Sequence, residues 1–154
     1  MSTNEAVQPR GLPWPALEPT TEGYWRAARD GRLVIQRCDD CGTHRHPPTE
    51  ACYACQSLAW SWGDVPGTGR VYTYTWVDRP VTPQLAHLGV YNITVVELDG
   101  TQGEPVRVLT RVDGVSREQL VVGLEVEVGF EPLDDESALP IFRPRSHPET
   151  PVNW

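Results

Sequence analysis

The chain contains no lysine: all 13 of its basic residues are arginine, set against 21 aspartate and glutamate residues for a net charge of -8. A coding bias toward arginine accounts for the composition, but the chemical consequence is firm, because without an ε-amine there is neither a Schiff base nor a lysine general base. The acidic balance opposes the phosphate backbone of nucleic acids. Long apolar runs are also missing, and no stretch approaches the roughly 20 residues that span a bilayer. The first residues, Met1-Ser2-Thr3-Asn4-Glu5, offer neither the basic nor the hydrophobic segment of a secretory leader. A soluble chain in the reducing cytoplasm is therefore expected.

Cysteine is scarce as well, with four in 154 residues, yet all four fall between Cys38 and Cys55. The stretch reads Cys38-Asp39-Asp40-Cys41-Gly42, then an arm His44-Arg45-His46-Pro47-Pro48-Thr49-Glu50, then Cys52-Tyr53-Ala54-Cys55. Two thiolates three positions apart can share one ion when the turn between them is tight, and a glycine after the second lets the backbone fold beneath the metal. Gly42 fills that place in the first knuckle, whereas the second has Gln56. Two disulfides or four unrelated buried thiols are the competing explanations, but both doublets sit within eighteen residues and nothing ahead of them looks like a secretory signal. Cys38, Cys41, Cys52 and Cys55 are thus expected to hold one structural Zn2+. Four thiolates leave the ion no open position for water, so the site should hold structure and catalyse nothing. His44 and His46 are alternative ligands that four sulfurs make unnecessary.

A chain of this length can bury one modest core beside a small metal-stapled module. Residues 1–21 read as an extended arm, with Pro9, Pro13, Pro15 and Pro19 around Leu12, Trp14 and Leu17. Glu22 to Asp30 suits a short helix closed by Gly31 and opened by Thr20 or Thr21, with Tyr24, Ala27 and Ala28 on one face and Trp25 beside it. Leu33 to Arg37 reads as a strand leading into the first knuckle, with the arm after Gly42 pairing back along it. Leu58, Trp60 and Trp62 alternate with small residues, as in a strand leaving the ribbon for a larger domain.

From Gly67 the pattern is β throughout. Val71, Thr73, Thr75 and Val77 alternate with Tyr72, Tyr74 and Trp76, and short strands recur over 90–98, 105–112 and 124–130. Ser116 to Leu120 suits one helical turn before the last of these. Four or five strands with that insertion match an OB-type barrel, with a small β-sandwich as the competitor. The fold class expected is mainly β, a short helix and four-cysteine ribbon followed by an OB-fold. The corresponding divisions are 1–21 arm, 22–62 helix and ribbon, 63–144 barrel and 145–154 tail.

The order of these pieces resembles the family catalogued as domain of unknown function 35, over about residues 22–144. The matching residues are Tyr24-Trp25, Gly31-Arg32-Leu33, Gln36-Arg37-Cys38-Asp39-Asp40-Cys41-Gly42, Pro47-Pro48 before Cys52 and Cys55, and Gly67-Thr68-Gly69-Arg70-Val71-Tyr72-Thr73-Tyr74-Thr75. Val95-Val96-Glu97-Leu98-Asp99-Gly100, Gly123-Leu124-Glu125-Val126-Glu127-Val128 and Pro140-Ile141-Phe142-Arg143-Pro144 continue it. Departures occur at Gln56, where glycine is common, and at Gly89-Val90-Tyr91, where a proline often begins the strand.

The resemblance implies a rubredoxin-like zinc ribbon joined to an OB-fold. It further implies an accessory subunit of thiolase-fold enzymes acting on acyl-CoA, among them thiolases, acyltransferases and the aldolases that shorten steroid side chains. The partner carries the chemistry in that arrangement. This agrees with a sequence whose cysteines are all committed to metal and which has no lysine and no Gly-x-Ser-x-Gly elbow. Tyr24, Trp25, Tyr72, Tyr74 and Trp76 are the candidate contacts with a partner or a CoA ester. A single-stranded nucleic-acid-binding OB protein is the alternative: Tyr72, Tyr74 and Trp76 could stack bases, and the charge opposes it.

Overall fold

The computed structural model describes residue 15 and residues 17–80 and 82–145. The part of the N-terminal arm holding Leu12 and Trp14, and the tail beyond residue 145, lie outside the described residues. Helix α1 (Glu22–Arg29) buries Tyr24, Ala27 and Ala28, the face its spacing marks out. Thr21 takes the N-cap position without a side-chain cap. The helix closes by Gly31 N–H to the Ala28 carbonyl at 3.1 Å and Arg32 N–H to the Ala27 carbonyl at 2.9 Å, the paired bonds of a Schellman end.

Three short strands follow, β1 (Val34–Cys38), β2 (His44–Arg45) and β3 (Trp60–Asp64), in the order β2-β1-β3. The arm after Gly42 does return along β1, with Gln36 opposite Arg45 and Arg37 opposite His44. Strand β3 departs from expectation: it stays in the ribbon and pairs with β1 from Val34–Asp64 to Cys38–Trp60. Strand β1, buried on both faces through Val34, Ile35 and Gln36, is the central strand of the three, and β3 pairs the edge that β2 leaves open.

The second sheet holds β4 (Thr68–Val77), β5 (Tyr91–Leu98), β6 (Arg107–Thr110), β7 (Glu125–Pro132) and β8 (Ala138–Pro144), in the order β6-β5-β4-β7-β8. It curls until its ends meet, where Phe142 donates its amide to the Arg111 carbonyl at 3.0 Å and accepts from Asp113 at 2.8 Å. Val112 and Phe142 are bridged there in parallel. One sheet closing on itself is the OB arrangement, and the sandwich reading falls away. The helical turn is present, with Leu120 N–H bonded to the Ser116 carbonyl at 3.0 Å. It precedes the fourth barrel strand, because a fifth, β8, follows; Pro140 and Pro144 disguise that strand in the sequence. Also unanticipated is a 3-10 segment at Pro83–Leu88, none of whose residues is buried, so it leaves no periodic trace.

The alternation along β4 is broken as well. Its register against β5 slips between Val71 and Thr73, a β-bulge at Tyr72. Tyr72 is therefore exposed beside Thr73, whereas Val71 lies in the core and Tyr74 and Trp76 pack against it. The three aromatics do not share a face.

Ribbon and barrel share one hydrophobic cluster. Tyr24, Leu33 and Ile35 from the N-terminal half join Val71, Val96, Val108, Val126 and Phe142 from the barrel. The small metal-stapled module expected beside one modest core thus contributes to that core. Ile35 has no solvent exposure, so Ile35→Ala should cost about 2–5 kcal/mol. Because that cluster is common to both halves, thermal unfolding followed through the NMR methyl signals of the barrel's Val126 should shift together with far-UV circular dichroism. A barrel transition unmoved by this ribbon substitution would show the two cores to be independent.

Candidate metal centre

The two Cys-x-x-Cys turns are built alike, bond for bond. In the first, Cys38 N–H reaches the Thr43 carbonyl at 2.9 Å and Gly42 N–H returns to the Cys38 carbonyl at 2.9 Å. In the second, Cys52 N–H reaches the Ser57 carbonyl and Gln56 N–H returns to the Cys52 carbonyl, both at 2.8 Å. Gly42 has φ +76° and Gln56 φ +62°, the latter the one non-glycine residue with positive φ among the described residues. The chain thus meets the same backbone demand twice, once with the residue that satisfies it freely and once at a cost of about 1–2 kcal/mol.

These turns bring the Sγ atoms of Cys38, Cys41, Cys52 and Cys55 within 4.8 Å of one another. Cys38 Sγ lies 3.6 Å from Cys55 Sγ, and Cys41 Sγ 3.6 Å from Cys52 Sγ. A tetrahedron with Zn–S bonds of about 2.3 Å has edges of about 3.8 Å, so the sulfurs stand at ligand spacing, well beyond the roughly 2.05 Å of a disulfide. The donor set fits Zn2+, which these four residues would hold as a closed tetrathiolate. Cys41 is hydrogen-bonded to the Thr43 hydroxyl at 3.2 Å, and that hydroxyl, with the Thr43 amide, holds its pKa down at about 6. For Cys55 the Ser57 amide pulls downward, but the bonds with Cys41 and Cys38 prevail and push it up to about 12. Metal uptake requires all four as thiolates and is therefore coupled to proton release.

Behind the sulfurs, one buried side chain organises the arm between the knuckles. Gln36 Oε1 accepts from Arg45 Nε at 2.7 Å and from the Thr49 amide at 2.8 Å, while Arg45 Nη2 donates to the Thr49 carbonyl at 3.2 Å. This triangle ties the returning arm to β1, and so places Cys52 opposite Cys41. The sequence places Gln36 in a matching run and Arg45 in the arm but marks neither as a buried anchor, since an amide and a guanidinium on short strands look like solvent-facing residues. The histidines are not part of the sulfur cluster. His44 Nδ1 accepts the Gln102 amide at 2.9 Å, and burial followed by the nearby Arg37 charge lowers its pKa. His46 packs against the Tyr24 ring at 5.5 Å between centroids, and burial lowers its pKa too.

The loop between β5 and β6 docks on both knuckles. Besides the Gln102–His44 bond, His44 N–H reaches the Gln102 carbonyl at 2.9 Å, and the Glu104 amide donates to the Tyr53 hydroxyl at 3.3 Å. Gly103 permits this fit: a Cβ there would stand 2.9 Å from Thr43 Cγ2 and 3.1 Å from the Tyr53 oxygen. A cavity of about 360 Å³ opens beside the joint, walled by His46, Thr49, Tyr53 and Glu104 among others.

The aromatic candidates are dispersed. Tyr24 is buried, with its hydroxyl pKa pushed up to about 12 by desolvation, and Trp25 meets its ring edge-on at 5.0 Å. Arg117 lies over the Trp76 ring at 5.1 Å and Arg107 over Tyr72 at 3.7 Å. Of the five, Tyr72 alone is exposed; Trp25, Tyr74 and Trp76 are half-buried against the core.

Comparison with known proteins matches this architecture on both halves. Residues 25–61 match the ChsH2 rubredoxin-like zinc ribbon domain and residues 62–131 the ChsH2 C-terminal OB-fold domain. A solved structure described as an Ltp2-ChsH2(DUF35) aldolase superposes with a TM-score of 0.74 at 35% identity, covering 85% of this chain and 98% of that one. A probable enoyl-CoA hydratase alpha subunit from Thermomonospora curvata is 37% identical over 138 residues, 89% of this chain; the chain spans 41% of that relative's length. A DUF35 domain-containing scaffold protein from Methanocaldococcus jannaschii is 28% identical over 115 residues, covering 73% of this chain and 77% of the relative. No helix among the described residues is long and apolar enough to cross a membrane.

Substitutions at the two turns test the centre. Cys38→Ser should strip the ion and unfold the ribbon, since metal binding in such sites contributes on the order of 10 kcal/mol to folding at neutral pH. Gly42→Ala should cost about 1–2 kcal/mol, whereas Gln56→Gly should relieve strain and stabilise the second turn by up to about 1 kcal/mol. Zinc release into a chromogenic chelator should accordingly be faster than wild type for the first of these turn variants and slower for the second. Equal rates would show that backbone strain at the knuckles does not govern retention.

Proposed function

The chain belongs to the DUF35 family, pairing a ChsH2-type zinc ribbon with a ChsH2-type OB-fold, and on that premise we propose that it is a non-catalytic accessory subunit of an enzyme acting on acyl-CoA. The partner in this reading is a thiolase-fold subunit, thiolase or aldolase, with steroid side-chain CoA esters among the substrates it would take, and the complex works in the cytoplasm. The observation that carries the reading is the convergence of all four cysteine sulfurs within 4.8 Å of one another, the donor set of one closed tetrahedral site. With those thiols held in the cluster and no lysine in the sequence, this chain offers neither a free cysteine thiolate nor a lysine amine to form a covalent intermediate with an acyl-CoA substrate. Tyr24, the most buried phenol of the ribbon half, is held neutral by desolvation and makes a poor base. Similarity along almost the whole of a chain described as part of an aldolase supports the role of companion to an enzyme.

The single-stranded nucleic-acid reading loses its main support in the fold. The bulge at Tyr72 splits Tyr72 from Tyr74 and Trp76, so no row of rings is available for successive bases. Arg70 and Arg107, on the same side as Tyr72, are engaged by Glu125 and Glu97.

The isolated, zinc-loaded chain should neither thiolyse nor retro-aldol cleave acyl-CoA esters, while a mixture with a thiolase-fold aldolase subunit should form a stable complex in sedimentation at micromolar concentration and turn over. Activity in the pure chain, or two proteins that sediment separately, would contradict the proposal.

A further inference from the structure

We propose that the outer face of the barrel over β4, β5 and β6 is the seat of the partner enzyme subunit, which presents an uncharged, aliphatic surface to it; this rests on the accessory-subunit reading above. The face follows from register. Thr73 stands opposite Val95, and Val95 opposite Leu109, while Thr75 stands opposite Ile93. Those side chains point away from the core, whose share of β5 is Asn92, Thr94, Val96 and Leu98. Leu109 is 73% exposed, Tyr72 48% and Ile93 37%. The bulge leaves Tyr72 and Thr73 facing outward in succession and turns Tyr74 and Trp76 toward the core, so Tyr72 is the aromatic ring of β4 that joins this face.

Charge decides what can sit there. At one end of the face Arg107 is paired with Glu97 at 2.9 Å and stacked on Tyr72, and Arg70 is paired with Glu125 at 2.9 Å. The cations are therefore already matched within the chain, and the face offers no excess charge to a phosphate backbone or an acidic peptide. A second copy fits poorly, since pairing two copies would bring together two chains each of net charge -8. A neutral aliphatic surface on a different protein meets the complementarity that remains. The place suits the fold too: β5 and β6 are the second and third barrel strands, the side on which OB barrels commonly take their ligands.

The test uses the full zinc-loaded chain and, as probe, the purified Ltp2 aldolase subunit, with affinity measured by calorimetry. Leu109→Asp and Ile93→Asp place a charge on exposed positions and should leave zinc content and circular dichroism unchanged. Each should weaken binding about tenfold or more, as expected for anchors near the centre of an interface. Wild-type binding matched within about twofold by both variants would overturn this face and leave the accessory-subunit reading standing. No binding by wild type would overturn that reading and this proposal with it. A homodimer of the chain alone that Leu109→Asp dissociates would assign the face to a second copy, which also overturns the proposal.

Discussion

Four sulfurs from two separate turns have to meet within bonding distance of one point, and most of the ribbon is arranged to bring them there. The demand falls first on the backbone, which must enter the left-handed region at Gly42 and again at Gln56. It then falls on the arm between the turns, held to β1 by the Gln36–Arg45–Thr49 bonds. A strand of two residues such as β2 would not persist by itself. Linked to two thiolate turns, it becomes part of a rigid frame.

That frame extends into the barrel through contacts of two kinds. Apolar continuity runs from Tyr24, Leu33 and Ile35 into the valines of the barrel. Polar contacts run from His44 and Tyr53 to the backbone of Gln102 and Glu104. The second set matters for function because the loop it grips connects β5 to β6, the strands that carry Ile93, Val95 and Leu109 outward. A closed metal site can in this way fix the loop beside the face on which we propose that an enzyme subunit is received.

Much of this was legible in the sequence. Paired Cys-x-x-Cys spacing, the return of the arm after Gly42 and the run of short β segments each reflect local rules that tertiary structure leaves intact. Other features depend on contacts distant in the chain. Nothing about Tyr72 distinguishes it from Tyr74 until β4 is laid against β5 and the register slips. Gln36 and Arg45 are polar residues in a chain rich in arginine, and only the pairing of β1 with β2 shows that they are buried against each other. Gln56 departs from a glycine preference, yet its backbone takes the glycine conformation regardless, because metal geometry outweighs a local cost of about 1–2 kcal/mol. Strand β8 was visible only as a matching segment, since two prolines hid its alternation.

The account makes the zinc ribbon the fastener of the β5–β6 loop, and hydrogen exchange at the Gln102 and Glu104 amides tests that most directly. In the zinc-loaded chain both amides are bonded to ribbon side chains and should be strongly protected. After the metal is removed by chelation, their exchange should accelerate by an order of magnitude or more, and by a larger factor than that of the core amides of β4 and β7, which lose only the protection that the shared cluster supplies. Unchanged protection at Gln102 and Glu104 in metal-free chain would contradict the account, because the barrel would then hold its loop without help from the four thiolates.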